Sequence, residues 1–217
     1  IETNGLENPT VIHCAVTKDI DSGTVREYIG RADYERLASD LRLAESIIGH
    51  NCIGYDYVHI SKLVDDSCID ADKLIDTLIY SHLFNFTIEH GHSLEAWGVR
   101  LKIPKIGGDI SNWSVYDPVM LARCHRDVEI TEKLYDLLSK RLNQRFEVAL
   151  DVEHKIAHIC GAMHRDGFTL NRNGTIELIT RTRKRVASLD EEIIKAFPPV
   201  VKRTQLKTKV KEETIPF

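Results

Sequence analysis

The sequence predicts the α/β class, because two β-rich runs near its start are followed by amphipathic helices with a short buried strand between them. Residues 10–17 (TVIHCAVT) and 24–29 (TVREYI) are rich in β-branched and aromatic residues, which favour strands. The cluster KDIDSG between them is typical of a turn. We therefore expect two adjacent antiparallel strands joined as a hairpin.

Apolar spacing predicts the first helix and a strand after it. Residues 32–46 repeat apolar side chains every three or four positions, as an amphipathic helix does. The run IIGHN at residues 47–51 then predicts a short buried strand that leads into a loop. These two elements continue the α/β pattern.

The middle of the chain is predicted to be mainly helical. Residues 57–64, 70–84 and 93–104 have helical patterns, the second behind a capping aspartate and the third ending at a proline. Residues 106–113 predict a loop. The longest helix is expected over residues 117–142, where an Asp-Pro pair suits the cap and the first helical position.

The rest of the chain predicts an all-helical extension and a basic tail. Residues 146–168 and 175–197 continue the helical pattern, whereas residues 201–217 lack a clear period and predict a linker or an excursion from a larger domain. The change of class predicts a first domain over residues 1–145 and a second region over residues 146–217.

The charge of the chain changes at about the same place. Residues 1–139 carry a net charge of −10 and residues 140–217 a net charge of +6. The acidic part is compatible with an ordinary solvated surface. The basic part, including RTRKR at residues 181–185, suits either a solvated helix face or contacts with a phosphate backbone.

The composition argues against a membrane or secreted protein. No apolar run approaches the roughly 18 residues that cross a bilayer, and no export signal precedes the predicted fold. The five cysteines show no C-x-x-C pairing, which suits reduced thiols in a cytosol-like compartment. The first residue is not methionine, so we expect residues upstream of Ile1.

Three acidic residues stand in motifs that occur in a recognisable order. Glu2 lies in IETNGL, Asp56 ends the pattern H-N-x4-D, and Asp127 begins DVEIT within the longest predicted helix. Together with the segments CIDADKLIDTLIYSHL and HSLEAWGVRLKI, these motifs resemble the 3′→5′ exonuclease domain of family A DNA polymerases, in the DEDD superfamily. The likeness is closest to the bacteriophage T7-like branch and covers most of residues 1–142.

The resemblance implies a fold and a chemistry. It implies an RNase H-like mixed sheet flanked by helices, followed by a helical extension leading to a polymerase thumb. It also implies proofreading hydrolysis of 3′-terminal nucleotides with two Mg²⁺ or Mn²⁺ ions, for which carboxylate oxygens are suitable ligands. Glu2, Asp56 and Asp127 would be the catalytic and metal-binding residues, and the family's first aspartate would immediately precede Ile1.

The resemblance also implies contacts with the strand. Thr3 and Leu6 would lie against the DNA, Leu6 as a wedge on the last base. Asn51 would steady the strand end, although a hydrogen bond within its own turn is an equal alternative. A single-stranded 3′ end is the expected substrate. The expected partners are DNA and the remainder of a polymerase chain, in the host cytoplasm if the protein is phage-encoded, and the sequence identifies no processivity factor.

The sequence departs from the family at the residue that orients the attacking water. Arg123 stands where this branch has tyrosine, and Ala122 stands where the other branch has histidine. Arg123 is one helical turn before Asp127, so it suits either a salt bridge with that carboxylate or a contact with a phosphate. Two further functions therefore stay open: a nuclease-defective DNA-binding scaffold of the polymerase, and a freestanding RNA-trimming nuclease. The SLEAWG segment and the helical extension argue against the second.

Overall fold

The computed structural model confirms the α/β class. It describes residues 1–6, 8–107, 110, 112–142 and 144–198, and the backbone of two final strands. Of the predicted loop at residues 106–113, positions 108, 109 and 111 lie outside the described residues. The chain forms two compact units, Ile1–Asp166 and Gly167–Phe217.

The helices and strands follow one another along the chain with short connections. The described α-helices are α1 (Tyr34–Leu43), α2 (Asp56–Leu63), α3 (Thr77–Phe84), α4 (Leu94–Arg100), α5 (Pro118–Arg141), α6 (Glu147–Asp166) and α7 (Arg172–Ala196). The described strands are β1 (Glu2–Thr3), β2 (Ile12–Lys18), β3 (Val25–Ile29), β4 (Ile47–Gly49), β5 (Leu74–Asp76), β6 (Val200–Gln205) and β7 (Val210–Ile215).

The predicted hairpin is confirmed and forms part of a three-stranded antiparallel sheet. The strand order is β1, β2, β3. Glu2 of the short strand β1 lies opposite Cys14 of β2, and Thr3 lies opposite Ile12. Strand pairing therefore positions the first motif at one edge of this sheet.

A second sheet pairs β4 with β5 in parallel, which corrects the helix predicted over residues 70–84. Leu74 and Asp76 are both buried, because the alternate residues of β5 point into the protein. The helix α3 begins only at Thr77, where the Asp76 carboxylate accepts a hydrogen bond from the Leu78 N–H. A three-residue strand within an apolar run is too short to show its period in the sequence.

The helix α5 crosses the centre of the first unit. Its Met120, Ile130, Leu134 and Leu138 are completely buried, and it packs against both β1 and β2 and against α3 and α4. The Asp117 carboxylate caps it by accepting from the Val119 N–H at 2.8 Å. The predicted start and length of this helix are confirmed.

The helix α6 also belongs to the first compact unit. His154 accepts a hydrogen bond at Nε2 from the Asp76 N–H at 2.9 Å, and His158 stacks edge-on against Tyr57. The compact unit therefore ends after Asp166, whereas the domain division after residue 145 stays a prediction.

The second unit contains α7 and a hairpin of β6 and β7. Asn171 caps α7 by accepting from the Gly174 N–H at 3.0 Å. The two strands pair antiparallel from Val200 opposite Ile215 to Gln205 opposite Val210. The linker predicted for the tail is therefore wrong. None of the helices in the described part of the chain has both the length and the apolar character needed to cross a membrane.

Substitution of a core leucine tests the central position of α5. Leu134 has 0% of its surface exposed, whereas Leu43 at the end of α1 is 80% exposed. We expect Leu134→Ala to lower the free energy of unfolding by about 2–5 kcal/mol through lost burial and a cavity. Leu43→Ala is the control and should change it by less than about 0.5 kcal/mol. Denaturant titration measures both, and equal effects would contradict this packing.

Candidate functional site

The three predicted carboxylates come from three elements that meet at the start of β1. Glu2 lies in β1, Asp56 is the first residue of α2, and Asp127 lies within α5. The Ile1 nitrogen is 3.0 Å from Asp56 Oδ1. Arg123 Nε, one helical turn before Asp127 in α5, is 3.5 Å from Glu2 Oε1. The structure therefore brings together residues that are far apart in the sequence.

Packing of α5 beneath the sheet explains this convergence. Cys14 of β2, the partner of Glu2, has its Sγ 3.8 Å from the Cys124 Sγ of α5. Both cysteines are buried. Because Cys124 faces the sheet, its neighbour Arg123 lies at the edge of the sheet beside Glu2. Asp127 follows Arg123 by one helical turn and lies on the same side of α5.

Two of the three carboxylates have a basic side chain beside them. Lys105 Nζ lies 2.7 Å from Asp127 Oδ2. Arg123 Nε lies 3.5 Å from Glu2 Oε1. Of the two roles considered for Arg123, the salt bridge therefore forms, but its partner is Glu2 rather than Asp127.

Glu2 is the least exposed of these carboxylates, with 17% of its side chain accessible. Burial, the largest influence, raises its pKa, and Asp127 adds to this effect. Arg123 and Lys105 act in the opposite direction without cancelling it. The ionised form of Glu2 therefore depends on the positive groups around it.

The donor chemistry of the site suits Mg²⁺ or Mn²⁺. Carboxylate oxygens are hard ligands, and Mg²⁺ is usually held by one or two carboxylates together with water and substrate phosphate. Within the described residues, no three side chains of His, Cys, Asp or Glu are grouped closely enough to hold a metal ion. An ion bound at Glu2 or Asp127 would therefore need water or substrate oxygens as further ligands.

The start of the loop after β1 is hydrogen-bonded to the residue that precedes α2. The Thr3 hydroxyl donates to the Gly5 carbonyl at 2.6 Å and lies 2.7 Å from the Tyr55 hydroxyl. Thr3 is buried, whereas Leu6 is 80% exposed. The predicted DNA contacts of Thr3 and Leu6 stay predictions, but the Thr3 side chain already has contacts within the protein and the Leu6 side chain is free to meet a ligand.

A buried carboxylate orders the loop that contains Asn51. The Asp76 carboxylate accepts hydrogen bonds from the N–H groups of Asn51 and Ile53 at 2.7 and 3.2 Å. Burial raises the pKa of Asp76, and these N–H groups partly oppose that shift. Asn51 itself is exposed, with a left-handed φ of 58°. Its contact with a strand end stays a prediction.

Three residues near the site were not found from the sequence. Asp76 lies in the segment IDTL but gives no sign there that it binds the loop after β4. Lys105 belongs to none of the motifs. The Arg123 guanidinium lies over the Trp113 ring at 5.4 Å from its centroid, so an aromatic side chain that is 40% exposed also borders the site.

The fold and the site define an α/β protein in which carboxylates from three elements lie near the start of a strand, two of them beside a basic side chain. No protein-family model matches the chain. The chain is similar to the DNA-directed DNA polymerase of Enterobacteria phage T3, with 24% identity over 91% of this chain and 36% of that polymerase. It is also similar to the DNA-directed DNA polymerase of Escherichia phage T7, with 23% identity over the same shares of each chain.

These relatives confirm the resemblance to T7-like DNA polymerases. The similarity covers nearly all of this chain. The chain spans only about a third of the length of either polymerase, since the matched part is 36% of each. The activity of this part is therefore inferred below from its own residues.

The pKa of Glu2 predicts how stability depends on pH. Because the folded protein raises this pKa above 4.5, ionisation of Glu2 lowers the stability as the pH rises through the folded pKa. We expect Glu2→Gln to raise the free energy of unfolding at pH 8 and to leave it unchanged near pH 4, where the carboxyl is protonated. Denaturant titrations at both pH values check this, with the exposed Glu45→Gln as the control. A destabilised Glu2→Gln at pH 8 would show that the ion pair with Arg123 outweighs burial.

Proposed function

We propose that this chain is the 3′→5′ proofreading exonuclease part of a T7-like DNA polymerase. The observation that carries the proposal is that Ile1 contacts Asp56 and that Arg123, one helical turn before Asp127, contacts Glu2. The similarity to two phage DNA polymerases supports it. The substrate is a single-stranded 3′ end of DNA, and the remainder of the polymerase chain is the partner that supplies this end.

The proposed reaction hydrolyses the last phosphodiester bond of the strand. Two Mg²⁺ or Mn²⁺ ions, when bound, would activate the water and stabilise the leaving oxygen. Glu2 and Asp127 supply carboxylate oxygens for one ion, and Asp56 supports the second. Glu2 would also face the terminal 3′-hydroxyl, because its strand leads directly into the loop with the exposed Leu6.

The surroundings of the carboxylates suit a nucleic acid strand. Lys105 and Arg123 place two positive groups beside the acidic residues, and such groups bind phosphates. Trp113 offers an exposed ring next to Arg123, on which a base can stack. A flexible single-stranded end can meet all of these groups, whereas the bases of a duplex are already stacked on one another.

One observation favours a second function, a nuclease-defective scaffold that binds DNA. Glu2 and Asp127 already have basic partners in Arg123 and Lys105, and Arg123 replaces the tyrosine of the family pattern. If these ion pairs persist when DNA binds, the site would hold the strand without cutting it. The two functions differ in whether the carboxylates are needed for release of nucleotides.

A nuclease assay distinguishes them. The protein in its natural length is incubated with 3′-labelled single-stranded DNA and Mg²⁺, and release of mononucleotides is followed. We expect Asp56→Asn and Asp127→Asn each to lower the rate by at least about a hundredfold, as loss of a charge-stabilising group in a catalytic site does. Asp66→Asn is the control at an exposed aspartate. Absence of metal-dependent release, or equal release by all variants, would support the scaffold.

The exposed leucine provides an independent test of how the strand end binds. Because Leu6 is 80% exposed, we expect Leu6→Ala to change the stability by less than about 0.5 kcal/mol. It should nevertheless lower kcat/KM for release of the terminal nucleotide severalfold, because the wedge on the last base is lost. Leu43→Ala removes an equally exposed leucine elsewhere and should leave kcat/KM unchanged. Equal kinetics for the two variants would refute the wedge.

A further inference from the structure

From the contacts of Lys105, which lies in none of the sequence motifs, we infer that this residue binds two anions in turn. It neutralises Asp127 in the metal-free protein, and it binds the terminal phosphate of the strand once a divalent cation occupies Asp127. This inference rests on the proposed nuclease function. It makes Lys105 a positioning residue that links metal binding to strand binding.

The backbone around Lys105 is held in place by neighbouring helices. Arg126 of α5 donates from Nη1 to the Pro104 carbonyl at 3.0 Å. A side chain at Gly98 of α4 would have its Cβ 3.0 Å from the Ile103 carbonyl oxygen and 3.5 Å from the Lys105 nitrogen, so the glycine permits close packing of this segment on α4. The base of the Lys105 side chain is therefore fixed.

The ammonium group, in contrast, is free to exchange partners. It lies 2.7 Å from Asp127 Oδ2, and the two side chains are 32% and 33% exposed. Ion pairs that reach solvent are weak, and lysine has a flexible four-carbon stem. A divalent cation with hard-ligand preference can therefore replace the ammonium at this carboxylate at little cost.

Once replaced, the ammonium remains close to the site. The backbone of Lys105 is held by the contacts above, so the ammonium can move only within the length of the lysine side chain from Asp127. When a cation binds Asp127, Lys105 loses the carboxylate with which it forms an ion pair. The terminal phosphate of a bound strand is an anion that can form a new ion pair with Lys105.

This exchange predicts opposite effects of one substitution. Lys105→Gln removes the competitor for Asp127, so Mn²⁺ should bind more tightly in the absence of nucleotide, by roughly two- to fivefold. The same substitution removes the contact with phosphate, so thymidine 5′-monophosphate should bind about tenfold or more weakly at saturating Mn²⁺. A purely structural role of Lys105 would not move the two affinities in opposite directions.

The experiment measures both affinities on the protein in its natural length. Free Mn²⁺ is followed by electron paramagnetic resonance without nucleotide, and thymidine 5′-monophosphate is titrated by calorimetry at saturating Mn²⁺. Lys102→Gln, at an exposed lysine of the same connection, is the matched control and should resemble the wild type. Thermal unfolding checks that each variant is folded.

The outcomes separate this inference from the proposed function. If Lys105→Gln leaves either affinity unchanged, or moves both in the same direction, the exchange is refuted. Asp127→Asn tests the proposed function in the same titration and should weaken Mn²⁺ binding. If Asp127→Asn weakens it while Lys105→Gln matches Lys102→Gln, only the role of Lys105 fails. If Asp127→Asn binds Mn²⁺ like the wild type, the metal site itself is refuted.

Discussion

The packing of α5 under β1 and β2 is the interaction on which the rest of the site depends. β1 has only two residues, and its pairing with β2 places Glu2 opposite Cys14. The contact of Cys14 with Cys124 then sets the rotation of α5. Because a helix presents every third or fourth residue on one face, that rotation also places Arg123 and Asp127 beside Glu2. One buried contact thus orients two of the three carboxylates and two of the ion pairs.

A second anchor positions the third carboxylate. The buried Asp76 binds the N–H groups at the start of the loop that leads to Asp56 and also caps α3. The Asp76 N–H in turn donates a hydrogen bond to His154 Nε2 of α6. A buried carboxylate is costly unless its hydrogen bonds are satisfied, so the loop after β4 and the start of α3 are held together. The acidic site therefore depends on α6, which follows the predicted domain boundary.

The elements long enough to repeat their apolar pattern several times could be predicted from the sequence, whereas the short elements and the ion pairs could not. The hairpin β2–β3 and the 24-residue helix α5 each repeat their pattern often enough to be recognised. β5 has three residues, and its Leu74 and Ile75 also fit the four-residue helical spacing to Leu78 and Ile79. The motifs predicted that Glu2, Asp56 and Asp127 meet. The partners Lys105 and Arg123 are set by tertiary contacts, which no local spacing records.

The central claim is that these carboxylates share divalent cations beside the end of a DNA strand. The most direct measurement is a crystal structure of the natural-length protein with Mn²⁺ and a short single-stranded oligonucleotide that resists hydrolysis, using anomalous scattering to locate manganese. The account predicts anomalous peaks within bonding distance of the Glu2 and Asp127 carboxylates, next to the terminal phosphate. Manganese bound elsewhere, with the ion pairs of Arg123 and Lys105 intact beside the bound strand, would contradict it.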